Sequence, residues 1–456
     1  MDPFGNQMSR RTIFRSAAAA FALATVMLIS QGADARKGKD DNKGGREDWA
    51  ATWIASAHGT YPTGTAVNQP DLTFAFGLPE VGANDQTFRL IVRPNIWSDR
   101  FRLRFTNKFG DRPVTFDGIY LGLHESGGAV VEGTNQRVTF GGKRSVTLQP
   151  GEIIYSDPIH QDYADLRDDE ILQGRKLAVS FHAVGTTGPM TWHSKAVQTS
   201  YVSPPGSGSH GHDETALPFP YTTTSWYFLD GVDALASADT KVLVALGDSI
   251  TDGTGSTLNG DDRYPDFLSR RVREVYGDKV SVVNAGVGGN RILTDSPAGG
   301  PAALERLDED VFSHSGVSAV IWLEGTNDLG NGAVAEEIIA GIRDGVRRMR
   351  AEGLKVIQAT VTSTLGAANA GYGTPETDAQ RKAVNEFIRT ADIFDSVADF
   401  DAVTTDPATG ELLPQYQPNS TTAVIDKIHP NRPGYLAMSE AVDIRILAPK
   451  RHAYKD

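Results

Sequence analysis

Near residue 240 the spacing of apolar residues changes, and with it the kind of fold the chain can adopt. Upstream, Arg100-Phe101-Arg102-Leu103-Arg104-Phe105 alternates strictly, the pattern of a half-buried antiparallel strand. Thr115–Leu123, Arg137–Phe140 and Lys176–Phe181 also read as strands, and 107–110, 127–128, 141–142 and 149–151 supply turn residues between them. Short strands with regular Gly and Pro punctuation point to a sandwich or jelly roll. Downstream, β-branched runs at 241–246, 280–284, 318–323, 355–361 and about 396–400 alternate with helical patterns. Val334, Ile338, Ile339, Ile342, Val346 and Met349, for example, follow a period near 3.6. Alternating strands and helices imply right-handed crossovers and a parallel sheet covered on both faces.

The 456 residues therefore read as two globular parts behind a leader: an all-β module at 49–235 and an α/β part at 236–456. The leader is 1–35. A basic stretch at 9–15 precedes the apolar Ala17–Ile29, and Ala33-Asp34-Ala35 offers a small-x-small cleavage site. Arg10-Arg11 gives it a twin-arginine character, so the mature protein is expected outside the cytoplasm, periplasmic or extracellular. Residues 36–48 lack apolar side chains and read as a disordered linker, and 231–240 as a connector. No other stretch is long and apolar enough for a membrane span, so none is expected after cleavage. A net charge of −13 argues against a nucleic-acid partner, and the absence of cysteine excludes disulfides and thiolate chemistry.

Chemistry concentrates where the downstream strands end. The first ends at Gly247-Asp248-Ser249, the second at Asn284-Ala285-Gly286-Val287-Gly288-Gly289-Asn290 and the third at Glu324-Gly325-Thr326-Asn327-Asp328. Asp426-Lys427-Ile428-His429-Pro430 follows the fifth. In a doubly wound sheet these turns meet at one edge, where such folds bind ligands. Ser249 by itself is as consistent with a helix cap as with a nucleophile. Together the turns hold what acyl transfer needs. Ser249 is the candidate nucleophile, His429 the base, and Asp426, three residues earlier, the group that orients it. The N–H groups of Ser249 and Gly289 and the Asn327 amide are candidate oxyanion donors.

These four blocks, in this order across 241–447, resemble the SGNH or GDSL-type esterase and lipase superfamily, with Ile250 where its name has Leu. The resemblance implies a flavodoxin-like three-layer α/β/α fold and carboxylic-ester hydrolysis by a Ser-His-Asp acyl-enzyme mechanism, with no cofactor and no metal ion. Aligned on Asn284, Gly289 fits the oxyanion donor best, with Gly286 and Gly288 as alternatives. A β module before this domain resembles bacterial secreted members, some of which deacetylate plant polysaccharides. The expected substrate is a small-molecule or polysaccharide acyl ester, with short or acetyl chains favoured over the longer chains of a lipase or thioesterase. The sequence does not set the oligomeric state.

Other features read as structural. Asp157-Pro158-Ile159-His160 repeats the Asp-x-x-His spacing but lies in the β module, as a turn between strands. His210 and His212 sit in a Gly/Ser-rich loop and do not fill a metal shell. Trp49, Trp53, Trp97, Trp192 and Trp226 fit packing better than sugar stacking. Glu324 and Asp328 read as turn carboxylates, and the long 364–376 turn carrying Tyr372 as a pocket wall or lid. A competing reading is a carbohydrate-binding protein whose hydrolase part is inactive.

Overall fold

In the computed structural model, residues 46–161 and 169–448 are described. The expected signal peptide lies outside them, as does most of the expected linker, although a strand already begins at Glu47.

The first half holds a sandwich of two antiparallel sheets and a small third sheet, Gly59–Thr60, Thr191–His193 and Trp226–Tyr227. One runs Glu47–Ile54, Leu229–Ser237, Arg100–Thr106, Ile153–Tyr155, with Ile159–His160 also paired to the third of these. The other is centred on Asn84–Val92, Leu177–Thr186 and Val114–Leu123. Alternation explains the packing. Phe101, Leu103 and Phe105 turn inward, fully buried, and Phe105 meets Phe116 and Phe181 of the facing sheet at ring distances of 5.5 and 5.1 Å. Each such ring contributes about 1.5–3 kcal/mol of burial. Trp53, Trp192 and Trp226 are buried here too, and Trp97 packs against this core. Trp49 is half-buried, with Arg102 over its ring.

Residues 231–240 are not a connector. Leu229–Ser237 is an inner strand, flanked on both sides by partners. Its small and acidic residues (Gly231, Asp233, Ala234, Ala236) hide the alternation that would have marked it.

The second half is a five-stranded parallel sheet in the order Val280–Gly286, Lys241–Gly247, Val317–Leu323, Lys355–Ala359, Ser396–Ala398. This is the flavodoxin-like order, with the switch point beside the first strand. Alternate residues of Lys241–Gly247 serve opposite faces. Leu243 and Ala245 pack with Leu268 and Met438, from helices Tyr264–Tyr276 and Arg432–Glu440. Val242, Val244 and Leu246 join Ile338, Ile342, Val384 and Ile388, from helices Ala335–Ala351 and Pro375–Thr390. That second cluster continues without a break into the sandwich core. Polar contacts join the halves as well: Asn95 Nδ2 donates to Val282 O at 2.6 Å and the Ala51 N–H to Ser315 O at 3.0 Å. Among the described residues no helix is long and apolar enough to cross a membrane.

Candidate active site

Ser249 opens a one-turn helix, Ser249–Asp252, directly after the first parallel strand. Asp248 caps it, its Oδ1 accepting the Ile250 N–H at 2.9 Å. The turn holds the Ser249 side chain at the sheet edge, 8% exposed.

His429 arrives from the loop before helix Arg432–Glu440. Its Nε2 lies 2.8 Å from Ser249 Oγ and its Nδ1 2.6 Å from Asp426 Oδ2. Lys427, at φ +57°, turns the chain tightly enough for Asp426 Oδ1 to accept the N–H groups of both Ile428 and His429 at 2.9 Å. Burial pushes the Asp426 carboxyl up, but the hydrogen bond and charge of His429 and these two N–H groups prevail and hold it at about 2. Asp426 is therefore an anion at any pH where the protein would work.

Hydrogen bonding separates the three glycines of the second turn. The Gly286 N–H donates to Asn284 Oδ1 and the Gly288 N–H to Asp252 Oδ2, both at 2.8 Å. The Gly289 N–H, like that of Ser249, has no acceptor among the described residues. Gly289 stands at φ +82°, a left-handed conformation that a side chain would strain. Asn327 Nδ2 donates to Asn290 O at 2.8 Å, and Asn327 Oδ1 accepts the Tyr372 hydroxyl at 3.0 Å. These partners fix which end of the amide is which and leave one Nδ2 hydrogen for a ligand. Tyr372 thus reaches the site as a hydrogen-bond partner of Asn327.

Beneath the turns lies a buried charge cluster. Glu324, a turn carboxylate after the third parallel strand, is fully buried and faces Arg306 Nη2 at 3.4 Å. Arg306 also donates to the strand-end carbonyls of Gly247 and Ala285, to Asn290 Oδ1 and to Asp310. Asp328 accepts the N–H groups of Ile292 and Leu293. Burial pushes Glu324 up to about 8 and Asp248 up to about 7. Unfolded, both would titrate near ~4. Between those values the folded protein keeps protons that the unfolded chain releases, so stability falls as pH rises from about 4 to about 8 and levels off above. The expected slope is about 1.4 kcal/mol per pH unit for each proton retained. Urea unfolding at pH 5 and pH 8 should show the loss, and Glu324→Gln should shrink the difference. An unchanged difference in that variant would clear Glu324 of the effect.

The residues missed in sequence come from far along the chain. His193, in Thr191–His193, the middle strand of the small three-stranded sheet of the β-rich half, places Nε2 3.2 Å from Asp252 Oδ1. Lys195 Nζ donates to Thr254 Oγ1 at 2.5 Å. Arg306 belongs here too: no local pattern marks it. The decoy is structural, with Asp157 accepting from Thr139, Gly141 and Gly142 and His160 in an edge strand. His210 bonds to Asp213 and Ser207 within its own loop.

Residues 245–437 match the model of the GDSL-like lipase/acylhydrolase family. No curated protein matches the chain. Among solved structures, similarity extends to a lipase/acylhydrolase from Enterococcus faecalis at 20% identity, covering 47% of this chain and 100% of that one, with a TM-score of 0.36. A carbohydrate acetylesterase from Sinorhizobium meliloti matches at 17% identity over 46% of this chain and 99% of that one, TM-score 0.34. A GDSL-like lipase from Bacteroides thetaiotaomicron matches at 18% identity over 46% and 88%, TM-score 0.34.

Proposed function

Residues 245–437 constitute a GDSL-like lipase/acylhydrolase domain, a carboxylic ester hydrolase, and from that premise we propose that it works through Ser249, His429 and Asp426 on esters of short acyl groups. The observation that carries the reading is the unbroken chain of contacts Ser249 Oγ, His429 Nε2, His429 Nδ1, Asp426 Oδ2, at 2.8 and 2.6 Å.

Ser249 Oγ attacks the ester carbonyl carbon while its proton passes to His429 Nε2. The carbonyl π pair moves onto oxygen, which accepts hydrogen bonds from the Ser249 and Gly289 N–H groups and from Asn327 Nδ2. As the pair returns, the C–O bond to the alcohol breaks, and the departing oxygen takes the proton from Nε2. Water repeats the sequence on the acyl-enzyme, releasing the acid and restoring Ser249. Throughout, the Asp426 anion holds Nδ1–H and stabilises the imidazolium.

The short-chain reading draws on the polar surroundings of Asn327, where the Tyr372 hydroxyl donates to its Oδ1 at 3.0 Å and Asn331 Nδ2 to its backbone oxygen at 2.7 Å, neighbours that suit a small acyl group better than a long alkyl chain. A second reading, longer acyl chains, draws on one observation: Val424 and Ile425, directly before Asp426, are 53% and 65% exposed. A panel of aryl acetate, butyrate, octanoate and palmitate, beside acetylated xylan and other acetylated glycans, decides. On the short-chain reading kcat/KM is highest for acetate and falls with length. A maximum at octanoate or beyond would replace it with the lipase reading, and acetate release from xylan would extend it to polysaccharides. The leader pattern at 1–35 is the support for placing this activity outside the cytoplasm.

A further inference from the structure

We infer that Asp252, gripped by His193 of the small three-stranded sheet, is a positioning residue for the oxyanion hole, so the β-rich half takes part in catalysis through its hold on the hydrolase turns. The inference rests on the acyl-enzyme reading above.

Asp252 is 1% exposed and lies three residues after Ser249 in the same helical turn. Its Oδ2 accepts the Gly288 N–H at 2.8 Å. One carboxylate thus ties the turn that presents the nucleophile to the turn that presents the next N–H, that of Gly289. The link spans the turns that carry two of the three candidate oxyanion donors, beside the bonds of Asn284 Nδ2 to Thr251 O at 2.8 Å and of the Val287 N–H to Gly247 O at 2.9 Å, and oxyanion stabilisation depends steeply on where donors sit.

The other carboxylate oxygen faces the β-rich half. His193 is 4% exposed. Its Nδ1 meets Ser56 O at 2.8 Å, and its Nε2 meets Asp252 Oδ1 and Lys195 O, each at 3.2 Å. All three partners are oxygens that accept hydrogen bonds, so both ring nitrogens are engaged and one of them faces the Asp252 carboxylate. Against its burial, His193 and Lys195 hold Asp252 below the usual carboxylate range. The remaining neighbours fit this grip. Trp226 lies beside the ring at 5.5 Å, and His58, buried and kept neutral, approaches edge-on at 5.8 Å. Lys195 and Thr65 press on the same turn: a Cβ added at Gly288 would stand 2.6 Å from Lys195 Nζ and 2.8 Å from Thr65 Oγ1. Glycine at 288 is what lets the β-rich half come this close.

His193→Phe tests the link, since it keeps a ring beside Trp226 but removes both ring nitrogens. Hydrolysis of aryl acetate is followed per active serine, counted by stoichiometric labelling with an organophosphonate. The expected result is a fall in kcat of about 10- to 100-fold with KM within about threefold. His193→Gln, which retains a donor, should recover part of it. Should His193→Phe not fold, Asp252→Asn carries the same expectation, because it keeps the volume but loses the paired charge. A purely structural role would lower the unfolding midpoint and leave kcat per active serine unchanged, and a value within about twofold of wild type overturns the inference. Ser249→Ala, run in parallel, keeps the two readings apart: turnover surviving there removes the nucleophile itself, whatever His193 does.

Discussion

Replacing Ser249 with alanine should reduce turnover of a short aryl ester by about 10⁶-fold, to the level that binding and oxyanion contacts alone sustain. The size follows from the way the site is joined. Ser249 Oγ is the atom at which His429 Nε2 points, and without it the Ser-His-Asp relay has no hydroxyl proton for His429 to take. Members of such a relay act as a unit, so the loss of the first costs nearly as much as the loss of all. Folding should be little affected. The methyl group of alanine keeps the volume, and the cap on the turn comes from Asp248, not Ser249. Rates with aryl acetate, beside a thermal unfolding midpoint, check both halves of this expectation. Any binding of polysaccharide by the sandwich should survive. Turnover within tenfold of wild type would falsify the serine assignment and require another nucleophile.

The second large effect belongs to Asp426→Asn, expected to lower kcat by about 10⁴-fold. Here the loop geometry dictates the outcome. Asp426 Oδ1 is occupied by two backbone N–H groups, which demand an acceptor. An asparagine must therefore turn its oxygen to the backbone and its NH₂ to His429 Nδ1. That nitrogen then accepts, the imidazole proton moves to Nε2, and the ring donates to Ser249 Oγ instead of taking its proton. The protein stays folded, with its base in the wrong tautomer. A pre-steady-state measurement of acylation should show the loss in the first chemical step. Unimpaired acylation would mean that another group orients His429.

The turns of the candidate site were legible because each is local. Gly247-Asp248-Ser249, Asn327 and Asp426-x-x-His429 are read within a few residues, and strand–helix alternation says that their turns share an edge. The flavodoxin-like strand order came with the resemblance, because alternation alone leaves the order of the strands open. The choice among Gly286, Gly288 and Gly289 was not legible, since it depends on which N–H groups are already engaged, by Asn284 and by Asp252. His193, 59 residues from Asp252 along the chain, is invisible for a related reason. A contact between halves leaves no period or spacing in either. Arg306 hides differently: within its short helix it looks like a surface cation, yet it is 1% exposed beneath the turns. Leu229–Ser237 was missed because small and acidic residues blur its alternation.

That strand also has a bearing on how the molecule is made. Among the described residues Glu47–Ile54 pairs as a strand with Leu229–Ser237, with Glu47 opposite Ser237. During synthesis the first strand must wait, one edge unpaired, until the last strand of its own sandwich has left the ribosome. Such distant pairing makes loop closure costly and folding slow. The hydrolase sheet starts four residues after that closure, at Lys241, but its last strand ends at Ala398, so the sandwich is expected to become ordered first and the hydrolase half to build onto it.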